Sequence, residues 1–228
     1  MTPAPDHLKL LPAYPLAAAA RLIGAQPSTF HAWFRGKSYS TEGKTERTIP
    51  ILSTSSRPGA PISFIDLVEA HVFFLIRKKY NIPIRNIRAA AEELSKIKGS
   101  LIYLAHKDIY LNAKHVFLKI NDRLVSLSER GQTVDRDIIA SGLGQLNYGS
   151  DGYASEFYPK LGDEEQKEFV VTPERNFGRI CIARLSVGAD VIHQRFFRGE
   201  KITDIAADYA ATKDEVEGAI RWHDRLAA

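Results

Sequence analysis

The chain has 228 residues, 44% hydrophobic and 25% charged, with a formal net charge of +4, the balance of an ordered soluble protein with room for two or three small domains. One cysteine, Cys181, excludes an internal disulfide and a cysteine-rich zinc site, and its plain reading is a small buried residue in a strand. No stretch approaches the roughly 18 apolar residues of a membrane span and the start carries no signal-peptide pattern, so no membrane contact and a cytoplasmic location are expected.

Residues 16–36, LAAAARLIGAQPSTFHAWFRG, hold two short helical patterns around a glycine turn. Leu16, Ala19, Ala20 and Ile23 recur at helical spacing, Gly24 permits a left-handed turn, and Pro27 with Ser28 supplies the first-turn residue and cap of a second helix. Phe30, Trp33 and Phe34 share the inner face of that helix, which leaves Ser28, Thr29, His31 and Arg35 pointing outward, as a helix entering the major groove requires. The competing reading is a helix-turn-helix used only for packing, with His31 a solvated polar residue. The adjoining residues favour the first reading. Residues 36–48 form a polar segment bearing Lys37, Tyr39, Lys44 and Arg47, with Glu42-Gly43 as a hairpin turn, and a basic hairpin after a recognition helix is a wing that grips phosphate.

Charge is unevenly spread in a way that agrees. Residues 1–98 hold 14 Lys plus Arg against 7 Asp plus Glu, residues 99–160 hold 7 against 7, and residues 161–228 hold 10 against 13. A basic front suits a polyanion, whereas the acidic back calls for a different partner.

Residues 63 to about 98 make a second helical unit. Ser63 and Asp66 form a capping box, and FIDLVEAHVFFLIRKKY is apolar on so many sides that one packed face cannot cover it. The surplus is either a homodimer interface or the core of the winged domain itself, and a homodimer is expected, since two-fold operators reward two-fold proteins. After the Asn81-Ile82-Pro83 break, Ile84, Ile87, Ala91, Leu94 and Ile97 make the stripe of another helix. Residues 101–159 read as a small antiparallel sheet, with LIYLA, DIYLN, HVFLKI and RLVSL as strands. His106, His115, Asp135-Arg136-Asp137 and Asp151 lack partners at metal-ligand or acid–base spacing, and Gly142-Leu143-Gly144 is too short for a phosphate loop. No catalytic residues, metal ligands or cofactor are therefore expected.

An acidic linker at 162–168 leads to the last unit. FVVTP and RICIAR read as strands, residues 187–197 as a helix stopped by Gly199, and Ile202, Ile205, Ala206 and Tyr209 as another helical stripe. Thr212 and Glu215 form a capping box for a terminal helix with Val216, Ala219, Ile220 and a packed His223 on its inner face. The expected fold class is α+β: a winged helix-turn-helix unit with helical extension over 1–98, a small β-rich unit over 99–160, and a second helix-turn-helix over 161–228.

The front, YPLAAAARLIGAQPSTFHAWFRG through ISFIDLVEAHVFFLIRKKYNIPIRNIRAAAEEL, resembles the winged helix-turn-helix of MerR-type regulators. The tail, with its Phe-Arg-Gly-Glu-Lys-Ile stop and restart, Ile-Ala-Ala-Asp-Tyr and Thr-Lys-Asp-Glu-Val cap, resembles a small antitoxin domain of unknown function. In this order and over nearly the whole chain they resemble larger VapB-type antitoxins, encoded beside PIN-domain ribonucleases. The chain departs at Ala183-Arg184-Leu185-Ser186, where that family shows Gly-Thr-Arg-Ile. The resemblance implies a non-enzymatic antitoxin that represses its own operator through the basic front and masks a PIN-domain ribonuclease toxin through another surface. Such nucleases hold metal in a carboxylate cluster, and Arg221 and Arg225, four apart on the terminal helix, are candidates to present a cation to it; the alternative is a solvated face paired with Glu217 and Asp224. The alternative function is a stand-alone MerR-like transcriptional regulator with a ligand-sensing C-terminal part.

Overall fold

The computed structural model describes residues 5–41, 44–48, 50–52, 54, 59–80, 104–107, 144–161 and 167–228. Asp6 caps the one-turn helix α1 (His7–Leu10) by accepting from the Leu8 N–H at 2.9 Å. The helix is short, yet its Lys9 is buried: Nζ reaches both carboxylate oxygens of Asp151 at 2.8 Å, which ties the front to a hairpin far along the chain. Burial works to raise the Asp151 carboxyl, but the Lys9 ammonium and the Asp6 and Tyr153 amides outweigh it and hold the group below its ordinary range.

Helices α2 (Leu16–Ile23) and α3 (Pro27–Arg35) form the expected helix-turn-helix. Gly24 adopts φ +73° at the end of α2, and Ala25 N–H then bonds the Ala20 carbonyl at 2.8 Å, closing the last turn. Strands β1 (Ser38–Thr41) and β2 (Lys44–Arg47) pair antiparallel, Ser38 opposite Arg47 and Thr41 opposite Lys44, as a wing; the Glu42-Gly43 turn lies outside the described residues. Ser63 and Asp66 make the capping box: the Ser63 amide donates to Asp66 Oδ2 at 2.9 Å and the Asp66 amide to Ser63 Oγ at 3.1 Å.

The helix so started, α4 (Phe64–Tyr80), is the hub of the molecule. Phe64, Ile65, Leu67, Val68, Ala70, Val72 and Phe73 are all buried within the single chain. Phe73 meets Trp33 edge-on at 4.9 Å between ring centroids, and on another side His71 lies 4.6 Å from Phe157. From Phe64 to Phe73 the apolar surface that raised the expectation of a homodimer is thus covered by the chain's own elements, and that stretch no longer argues for a second copy.

Of the expected middle strands only Leu104 and Ala105 are described, and they sit in a turn; the rest of those strands, His115, the Asp135-Arg136-Asp137 group, the start of the Gly142-Leu143-Gly144 turn and the stripe at 84–97 lie outside the described residues. The described middle sheet is instead β3 (Leu146–Tyr148) with β4 (Ala154–Phe157), flanked by a bridge from His106 to Tyr153. Phe157 and Val171 exchange backbone hydrogen bonds at 2.9 and 2.8 Å, joining this hairpin to β5 (Phe169–Val170) and its partner β6 (Cys181–Ile182). Cys181 is buried there, as its composition-level reading suggested.

The tail ends in α5 (Ala189–Phe197), α6 (Ile202–Tyr209) and α7 (Lys213–Ala227). Thr212 and Glu215 form the second capping box, with bonds of 3.1 and 2.7 Å. The turn at Ala183-Arg184-Leu185-Ser186 explains its own sequence: Arg184 grips both Glu215 oxygens, at 2.7 and 2.6 Å, and the Ala210 carbonyl at 2.8 Å, so it clamps the start of α7. The fold is α+β. One continuous set of buried side chains, from Tyr14 through Phe157 to Trp222, runs through all three stretches of sequence rather than forming a core in each.

Candidate nucleic-acid interface

Pro27 is the first residue of α3 and Gln26 its cap, without a side-chain bond; Ser28 is therefore not the cap that its position suggested but an exposed residue of the first turn. Thr29 and His31 are exposed beside it, while Phe30, Trp33 and Phe34 are buried behind them. The outer face of α3 and the wing together enclose a groove lined by Ser28, Thr29, His31, Lys37, Arg47 and Arg77. At the wing's base the Lys37 amide donates to Thr48 Oγ1 at 2.7 Å and the Thr48 amide to the Lys37 carbonyl at 2.9 Å, fixing the hairpin against the helix. Lys37 and Tyr39 are exposed on β1 and its approach; of Lys44 only the backbone is described, and its expected phosphate contact lies outside the described atoms.

Arg35 corrects the expectation that it points out with Ser28, Thr29 and His31. It is half-buried at the last turn of α3, donates from Nη2 to the Ala60 carbonyl at 3.2 Å, and adds its charge to the field around Asp66. A guanidinium beside a carbonyl and a buried carboxylate is better paired there than in solvent, so Arg35 braces α3 against the start of α4.

Arg77 is the cation that the sequence reading missed. It lines the same groove, and its Nη1 is buried without a hydrogen-bond partner among the described residues. The signal was present: Arg77 lies one turn beyond Phe73 and Phe74, whose rings pack 4.9 and 6.2 Å from Trp33, so it shares the helix face turned toward α3. A buried donor left unpaired is unfavourable, and a phosphate oxygen would satisfy it.

The two C-terminal cations part company. Arg221 is exposed, with Nη1 3.8 Å from Glu217 one turn earlier. Arg225 lies over the Trp222 ring at 5.2 Å and packs against the Gly24 turn, beside a bond of 3.2 Å from Arg21 Nη1 to the Leu226 carbonyl. It is thus spent inside the chain as a joint between α7 and the helix-turn-helix, because the turn at Gly24 leaves room for a flat guanidinium. His223, expected on the packed face, is half-buried and stacked on His193.

Residues 12–91 match a protein family described as “Putative DNA-binding HTH domain”. Over 220 residues the chain is 28% identical to the uncharacterized protein Rv2308 of Mycobacterium tuberculosis, spanning 92% of this chain and 89% of that protein. The crystal structure of Rv2018 from Mycobacterium tuberculosis superposes with a TM-score of 0.67 at 22% identity, over 92% of this chain and 98% of that one, a likeness of fold. Among the described residues no helix is long and apolar enough to cross a membrane. The chain carries an N-terminal helix-turn-helix of the DNA-binding kind within a fold that extends well beyond it.

Proposed function

We propose that this chain is a non-enzymatic DNA-binding regulator that reads duplex DNA through α3 and the wing. The observation that carries the reading is the groove in which small polar readers, Ser28, Thr29 and His31, share a lining with Lys37, Arg47 and Arg77. Small polar side chains on the outer face of a helix meet base edges, and cations on either side hold the phosphates. The test is a titration of the full chain against DNA from upstream of its own gene at several salt concentrations. Arg77→Ala weakens binding to all duplexes alike and lowers the salt slope by about one, while His31→Ala changes the preference among sequences. Unchanged affinity and slope in both variants would sink the reading.

Within that reading the regulator acts as an antitoxin: it represses its own operon and silences a PIN-domain ribonuclease through the acidic tail. Support comes from the tail's charge, with 13 acidic against 10 basic residues over 161–228, and from Phe177 and Phe197, 90% and 82% exposed, on the tail's surface. Arg221 remains the candidate cation for the nuclease's carboxylates. Because the core is shared, the test uses the full chain: Arg221→Glu and Phe197→Asp, each co-expressed with the neighbouring nuclease, release its toxicity, whereas Arg77→Ala does not. Full protection by both tail variants would move the contact elsewhere. The reading does not require a homodimer. The alternative, a stand-alone regulator whose tail senses a small molecule, draws on the packing of α7 against α2, since an event at the tail then touches the reader directly.

A further inference from the structure

His193 on α5 and His223 and Asp224 on α7 bring one nitrogen or oxygen each to within 4.8 Å of the others. His193 Nε2 is 3.2 Å and His223 Nδ1 4.0 Å from the same oxygen, Asp224 Oδ1. The two imidazoles stack at 3.7 Å between centroids and 17° between planes, so one ring must turn out of the stack for both in-plane lone pairs to meet at one ion. His223 Nδ1 is buried and has no hydrogen-bond partner among the described residues. A ring nitrogen in that state has lost water and gained nothing, and a metal cation is a partner to which its lone pair can donate.

We infer that His193, His223 and Asp224 bind a divalent first-row transition ion of the zinc class. Two imidazole nitrogens with one carboxylate suit such an ion and not calcium or magnesium, which take oxygen ligands. Tetrahedral bonds of about 2.0 to 2.2 Å set neighbouring ligand atoms roughly 3.3 Å apart. The 3.2 Å separation between His193 and Asp224 already meets that spacing, and the others close on it by rotation of partly exposed side chains. Three protein ligands leave a fourth position open to water or to a partner's donor. His193 and His223 line a surface pocket with Gln194 and Phe197, which gives the ion a path from solvent. Arg179 lines the same pocket but is bound to Asp190 at 2.7 Å, so its charge is already matched. The sequence hid this group because the histidines stand on two helices, separated by the whole of α6, and neither keeps a metal-ligand spacing with the other.

The test uses the full chain stripped with chelator and titrated with Zn(II) by calorimetry, and with Co(II) by visible absorption. One ion binds per chain, with the visible bands of four-coordinate Co(II), and the metal raises the melting temperature. His193→Gln and His223→Gln each weaken binding by roughly tenfold or more, as does Asp224→Asn. Asp224 is 64% exposed and its change leaves the metal-free fold intact, so that variant decides the matter should either histidine variant fail to fold. A control pair, in which His7 and His31 are also replaced by Gln in the wild-type and D224N backgrounds, keeps the difference if the site is the one named. Absence of saturable one-to-one binding, or equal affinity in the wild type and D224N, overturns the inference.

Discussion

Glu69 lies one turn beyond Ile65 on the most buried stretch of α4, where the Leu104 amide donates to its Oε1 at 3.2 Å. Burial, with the Asp66 carboxylate adding to it, pushes the Glu69 carboxyl up to about 8. The folded state therefore holds a proton there that the unfolded chain releases near the ordinary glutamate value. Its contribution is fully present below about pH 4.5 and is lost as pH rises toward 8, because each step requires either charging a buried group or protonating it at a growing cost. Glu69→Gln keeps shape and hydrogen bonding without the charge. Chemical denaturation at pH 5, 7 and 9 will show the variant close to wild type at the first and progressively more stable at the others; parallel curves at all three would show Glu69 ionised at no penalty. None of this was legible in the sequence, where Glu69 is one acid in a helix apolar on most sides and nothing local says that Leu104 will close over it. Ser28, Thr29 and His31 were legible, since helical period alone puts them opposite Phe30, Trp33 and Phe34. Arg35 was not, because its partner Ala60 belongs to a loop whose approach to α3 no local pattern encodes.

Elements whose boundaries are set by local chemistry were read most closely. Both capping boxes, Ser63 with Asp66 and Thr212 with Glu215, stand where the spacing put them, and Gly24 turns the chain as its lack of a side chain allows. The apolar run of α4 left two readings because period shows that a helix must be covered, not by what. Gly36 shows how an element junction depends on one residue. It joins α3 to the wing at φ 71° and ψ 172°, and a Cβ there would stand 2.0 Å from the Thr48 carbonyl oxygen. That backbone region is open to glycine alone, at about 1 to 3 kcal/mol for other residues before any overlap is counted. Gly36→Ala therefore shifts β2 away from α3, lowers the melting temperature, and weakens duplex binding beyond the loss in folded fraction, as Lys37 and Arg47 leave their places along the groove. Anisotropy titration at a temperature where the variant is fully folded separates the two effects. Wild-type affinity under those conditions would mean that the wing does not contribute to binding.

At the scale of the whole molecule, composition and length suggested several units, each with a core, and the packing joins them. Lys9 meets Asp151, Phe157 bridges to Val171 between the middle hairpin and the tail, and α7 returns to the front through Arg21, Leu226 and Arg225. The first ties the front to the middle hairpin and the last ties opposite ends of the chain together, which no window of sequence reports. They have a thermodynamic consequence. If the buried set from Tyr14 to Trp222 is one core, the described parts melt together, with calorimetric and van't Hoff enthalpies equal; separate cores would give two or three steps. Trp222 is the sharpest probe, being fully buried in α7 and adjacent to Arg225 at the Gly24 turn. Truncating it removes about 3 to 5 kcal/mol by cavity formation. In Trp222→Ala, hydrogen exchange at the amides of α2 and α3 accelerates along with exchange in α5 and α7, because opening either end exposes the same interior. Should the front keep its wild-type protection while the tail loses its own, the two ends fold independently, and the contact of α7 with the DNA-reading unit carries no coupling between them.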